Sequence, residues 1–100
     1  MISDMDLILR MPWEPVSGAS AAKLESELTK ELLPNHPLFG VKATALARRA
    51  DNDDVLFALA SGASPYAVVH LTWTGHADAD PRCPATVFYP TAQAFSLRDA

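Results

Sequence analysis

The sequence predicts an α+β fold: one amphipathic helix on a three-stranded antiparallel meander, four-stranded if Thr86–Tyr89 joins it, then a short C-terminal segment. Three observations carry this reading. Apolar residues recur at helical spacing before Pro34, the period changes to alternation after Gly40, and the alternating runs are joined by short stretches of Asp, Asn, Ser, Gly and Pro.

In chain order, Ser3 followed by Asp6 predicts a helical turn ending near Arg10, and Pro12-Trp13-Glu14-Pro15 forces an extended passage. A helix is predicted from Gly18 to Leu33, with Ser17 as N-cap and Pro34 as its stop. Ala21, Leu24, Leu28 and Leu32 form its apolar stripe with Glu25 at the margin, while Lys23, Glu27 and Lys30 fall on the opposite, solvated side. After the turning segment Pro34–Gly40, strands are expected over Val41–Ala50, Val55–Ala60 and Tyr66–Thr74. Their links are Asp51-Asn52-Asp53-Asp54 and Ser61-Gly62-Ala63-Ser64-Pro65, residue types that tolerate turn geometry. Thr91–Ala100 has helical spacing in Ala92 and Phe95.

Alternation also sorts the strands into two faces. With short loops, one face carries Ala45, Ala47, Val55, Phe57, Leu59, Val69, Leu71 and Trp73, a floor for the leucine stripe. The other carries Leu46, Arg48, Leu56, Ala58, Tyr66, Val68, His70 and Thr72. A solvated face should be polar, yet Leu46, Leu56, Tyr66 and Val68 interrupt this one, so something covers it. Two occupants fit: the chain's own tail, through Val87, Phe88, Tyr89 and Phe95, or a partner protein or second copy meeting Leu46, Arg48, Leu56, Tyr66, Val68 and His70.

Composition bounds the function. One hundred residues, 49% apolar and 20% charged, suit a single globular domain spanning 1–100. Net charge is −4 and Arg48-Arg49 is the only adjacent basic pair, so the clustered positive footprint of a nucleic-acid binder is missing. Cys83 is the single cysteine, which rules out an internal disulfide. The acidic start, with the short aliphatic run Leu7-Ile8-Leu9, resembles no signal peptide, and no stretch has the length of a membrane span; a cytoplasmic protein is expected.

Candidate chemistry is sparse. Asp51, Asp53 and Asp54 form an acidic hairpin tip, but the distal glutamate and central glycine of a calcium loop do not follow. His70, mid-strand, is the one candidate general base, and with Arg48 and Tyr66 would define a small enzyme or ligand-binding site. His76, Asp78, Asp80 and Cys83 place four potential metal ligands close together, at a spacing that matches no zinc pattern. No cofactor is expected. His36, between Asn35 and Pro37, reads as a turn residue, and Trp13 and Trp73 as core or interface anchors.

The runs His36-Pro37-Leu38-Phe39-Gly40, Asp51-Asn52-Asp53-Asp54-Val55-Leu56-Phe57 and Val68-Val69-His70-Leu71-Thr72-Trp73 resemble a set of small uncharacterised bacterial proteins. That resemblance implies a bacterial cytoplasmic protein and transfers no functional residue. The expectation from the residues themselves is a non-enzymatic interaction module, immunity- or adaptor-like, that docks a protein partner or itself as a homodimer. The alternative is a small enzyme built on His70.

Overall fold

The computed structural model describes residues 12–60, 64–75 and 84–98, with side chains as far as Phe95. Strand β1 (Trp13–Pro15) leads into helix α1 (Gly18–Glu31). Strands β2 (Ala43–Arg49), β3 (Asp54–Leu59), β4 (Tyr66–His70) and β5 (Thr86–Tyr89) follow, and helix α2 (Ala92–Arg98) ends the described chain. The sheet has five strands in the order β1-β2-β3-β4-β5, every pair antiparallel. The α+β architecture and the central meander agree with the sequence reading, and the sheet is larger by a strand at each end. The expected turn over Ser3–Arg10 lies outside the described residues.

Strand β1 is the element the sequence disguised. Two prolines in four residues argue against a strand between two neighbours, because proline lacks the N–H that a central ladder needs. At the edge that N–H is dispensable, and Trp13, Glu14 and Pro15 pair with Arg49, Arg48 and Ala47. Helix α1 is shorter than predicted at its C-terminus. Leu32 is already extended (φ −91°, ψ 128°), two residues ahead of Pro34, and the residue before a proline is itself driven out of the helical region. At the other end Ser17 holds the N-cap position, but its side chain makes no capping bond; the entry is accommodated by Gly18 at φ +59°.

The two faces hold separate cores. Under α1, Ala21, Leu24 and Leu28 pack with Leu38 on Ala45, Val55, Phe57, Ala67, Val69 and Leu71. On the opposite face Trp13, Ala47, Leu56, Tyr66, Val68 and Tyr89 enclose Ala92 and Phe95 of α2. Phe95 is fully buried and meets Trp13 and Tyr89 edge-on, with ring centroids 5.2 and 5.7 Å away.

The expected faces of β3 and β4 hold, and those of β2 need one correction. Ala45 stands opposite Phe57 while Ala47 stands opposite Leu56, so Leu46 is an extra residue in a β-bulge. The bulge reverses alternation, carrying Ala47 to the α2 face and Arg48 to the α1 side. Trp73 is the other correction. It leaves the sheet with φ +59° and is 40% exposed, instead of lying under α1.

Carboxylates of α1 hold the backbone around it. Glu25 Oε2 accepts the Ala45 N–H at 2.9 Å, on the stretch of β2 that the short β1 leaves uncovered. Glu31 accepts from Thr72 and Trp73, and Glu27 from Gly75 at 3.0 Å. Glu27 was expected on the solvated side; it is buried because it supplies the acceptor for that turn.

Candidate binding groove and sheet rim

The segment between α1 and β2 is built by successive tight turns. His36 N–H bonds to Leu33 O, Phe39 N–H to His36 O, and Val41 N–H to Leu38 O. His36, expected as a simple turn residue, is buried. Its Nδ1 accepts the Leu38 N–H at 3.0 Å and its Nε2 donates to Pro84 O at 3.1 Å, which ties the segment to the start of β5. Gly40 takes φ +79°, a left-handed conformation that glycine adopts without steric cost. The turns drive Leu38 into the core at 1% exposure and leave the adjacent Phe39 at 51%.

Phe39 forms the lip of a groove of about 410 Å³ between this segment and α1. Leu28, Leu32, Val41 and Ala43 supply apolar wall, and Glu25, Thr29 and Lys42 supply polar groups. The volume is in the range of sites that take a small molecule, roughly 300–1,000 Å³. Its chemistry is therefore that of apolar recognition with one acid and one base nearby. The sequence reading missed it. The available signal was Leu38-Phe39 inside a Pro/Asn/Gly turn segment, where only one of two adjacent apolar side chains can turn inward.

The residues singled out from sequence gather differently. Leu56, Tyr66 and Val68 are core residues beneath α2, so the tail occupies the ground they offer. Leu46 is half-buried at the bulge, Arg48 is exposed on the opposite side, and His70 is exposed at the rim of the α2 face. A partner surface built on that whole set requires α2 to leave the sheet.

At that rim, the Asp51 and Asp54 carboxylates have partners within the fold. Arg49 donates from Nε and Nη2 to the two oxygens of Asp51 at 2.8 and 2.9 Å, and this hydrogen bonding holds the Asp51 carboxyl below its ordinary value. The Arg49 guanidinium also lies 5.8 Å from the Trp13 ring centroid. Asn52 Oδ1 accepts the Asp54 N–H at 2.7 Å, Asp53 O accepts the Leu71 N–H, and Asp54 Oδ1 meets His70 Nδ1 at 2.8 Å. Asp54 and His70 are directly paired across β3 and β4, so register alone brings them together. Tyr66 lies at the other end of β4, about 13 Å along the strand at 3.3 Å per residue, and Arg48 is on the other side of the sheet. The predicted trio of His70, Arg48 and Tyr66 is not assembled.

His76, Asp78, Asp80 and Cys83 lie outside the described residues. Among the described residues, no group of three or more His, Cys, Asp or Glu side chains is placed to hold a metal ion, and no helix is long and apolar enough to cross a membrane. No family model, no curated protein and no solved structure matches the chain.

Proposed function

We propose that the chain is a small non-enzymatic interaction module of the cytoplasm that receives an apolar side chain of a partner protein in the groove between α1 and Phe39–Ala43. The observation that supports this reading is Phe39, a large apolar side chain left half exposed on a groove whose walls are already apolar. Exposed aromatic residues beside a preformed apolar cleft are typical anchors of binding surfaces.

The test is selection of displayed peptides on the folded protein, with counter-selection on Phe39→Asp and Val41→Asp. Peptides with a shared apolar anchor that lose at least tenfold in affinity on both variants support the reading. Peptides that bind the variants equally overturn it. Light scattering of the wild type and Phe39→Asp covers the homodimer: a dimer abolished by the substitution identifies the partner as a second copy.

A second reading, a small enzyme or ligand-binding domain using His70, draws on the Asp54–His70 contact, since a carboxylate on Nδ1 orients an imidazole for proton transfer. A ligand found by thermal-shift screening whose effect vanishes in His70→Ala, and persists in Phe39→Asp, would put this reading first.

A further inference from the structure

The sheet has two edges, and the chain treats them differently. Strand β1 is short, exposes the charge of Glu14, and turns Pro15 outward, where it has no N–H to offer. Strand β5 carries no such device. Its bonds to β4 fix which of its backbone groups face away from the sheet. His70 N–H bonds to Ala85 O, so along this antiparallel pair Val87 and Tyr89 direct their N–H and C=O at β4. Those of Thr86 and Phe88 point to the open side. Two large apolar side chains stand at the same place. Val87, on the α2 face beside Val68, is 41% exposed, and Phe88, on the α1 face beside Ala67, is 40% exposed. Both were expected to cover the second face; Tyr89 and Phe95 do that instead.

We infer that β5 pairs with β5 of a second copy of this chain, antiparallel about a two-fold axis at Val87. In that register Thr86 lies opposite the partner's Phe88. Such a pair exchanges N–H to C=O bonds in both directions, and the symmetry supplies the pair twice. Every outward backbone group of Thr86 and Phe88 is then matched. The ladder stops at Pro84 and Pro90, which would meet next and have no N–H to give. Val87 meets its own copy across the axis, at a position without hydrogen bonds, where facing side chains come closest. Phe88 lies beside the partner's Thr86 on the other face.

Charge selects a second copy as the occupant. Across a two-fold axis each side chain near the axis meets its own kind, so a charged strand would repel itself. The chain has net charge −4, yet the run from Pro84 to Phe95 holds no Asp, Glu, Lys, Arg or His. The pairing also closes. It joins the two five-stranded sheets into one, whose remaining edges are the two β1 strands, blunted by Pro15 and Glu14. Assembly therefore ends at a dimer. The contact is short, which places the dimer in the weak class that forms at high local concentration. The inference does not depend on the groove between α1 and Phe39–Ala43. That groove opens beside β2, with β3 and β4 between it and β5.

The experiment is sedimentation velocity on the full chain from about 20 µM to about 1 mM, with amide exchange by NMR at both ends of that range. The expected result is a monomer–dimer equilibrium. At the high concentration the Thr86 and Phe88 amides exchange at least about threefold more slowly, while those of Asp51–Asp53 at the hairpin tip keep their rates. Val87→Lys sets like charges on the axis, and should weaken dimerisation at least about tenfold. Phe88→Pro removes an outward N–H that β4 does not use, and should do the same with the thermal melt still cooperative. Phe39→Asp should leave the dimer intact, and peptide capture by the groove is scored separately, so either reading can fail without the other. Should a β5 variant fail to fold, the wild-type exchange rates carry the test. A monomer throughout the range, Thr86 and Phe88 rates that ignore concentration, or a dimer that survives both β5 variants would overturn the inference. So would a dimer abolished by Phe39→Asp, or assembly that runs beyond two copies.

Discussion

On one face of the sheet a helix of 14 residues lies over Ala45, Val55, Phe57, Ala67, Val69 and Leu71; on the other a helix of seven lies over Ala47, Leu56, Tyr66 and Val68. The long helix joins aliphatic packing to carboxylate bonds with the backbone of β2 and of the turn after β4. The short one presents Ala92 and the single aromatic anchor Phe95, seated between two aromatic rings. A short helix has little intrinsic stability in water, so α2 exists by virtue of what it buries. Among the described residues, the first face is closed by distributed contacts and the second chiefly by Phe95, beside the small Ala92 and Ala94. This is why the second face reads from sequence as unfinished: its cover is too short for periodicity to announce.

The largest expected effect separates the two. Phe95→Ala should destabilise the fold by about 3–5 kcal/mol, the usual cost of deleting a buried phenylalanine, measured as a shift in the urea midpoint. At low denaturant it should also bind a hydrophobic dye, because α2 loses its hold and uncovers Leu56, Tyr66 and Val68. Leu24→Ala should cost about 2–5 kcal/mol by the same cavity argument, yet stay dye-silent while folded, since α1 keeps its bonds to Ala45, Thr72 and Trp73. Equal dye binding by both variants would break the comparison.

The next effect sharpens it from the polar side. Glu25→Ala leaves the Ala45 N–H without its acceptor where β1 does not reach, at a cost of about 1–3 kcal/mol for an unsatisfied, partly buried donor. Glu25→Gln retains a carbonyl oxygen there and should recover most of the loss in thermal or urea melts. If both variants melt like the wild type, water substitutes for the carboxylate and α1 is held by its aliphatic stripe alone.

How much of this was legible depended on how local the cause was. The alternation of Val55-Leu56-Phe57 and of Val68-Val69 is a property of each strand, and both runs lie on the expected faces. The bulge at Leu46 arises from pairing with β3, and no residue in Thr44-Ala45-Leu46-Ala47 marks it, so Ala47 and Arg48 were placed on the wrong sides. The inward turn of Glu27 and Glu31 depends on N–H groups 41 to 48 residues away, which helical periodicity cannot register. The groove lies between those extremes. Turn chemistry over Pro34–Gly40 was readable, whereas the exposure of Phe39 beside buried Leu38 follows from how the turns stack.

The smallest effect concerns the rim, where the second face meets solvent. Asp54 and His70 are in contact at 2.8 Å, but their side chains are 25% and 54% exposed. An exposed pair of this kind couples by about 0.2–1 kcal/mol, because water and salt screen it and ordering both side chains costs entropy. A double-mutant cycle of Asp54→Ala and His70→Ala, melted at pH 5.5 and again in 0.5 M salt, should return a coupling in that range that shrinks as salt is added. The hairpin register should survive, since Asp54 N–H is held by Asn52 and Leu71 N–H by Asp53 O, independently of the ion pair. A coupling several times larger and insensitive to salt would mean that the pair closes the second face as the α1 carboxylates close the first, and the contrast between the faces would fail at this edge.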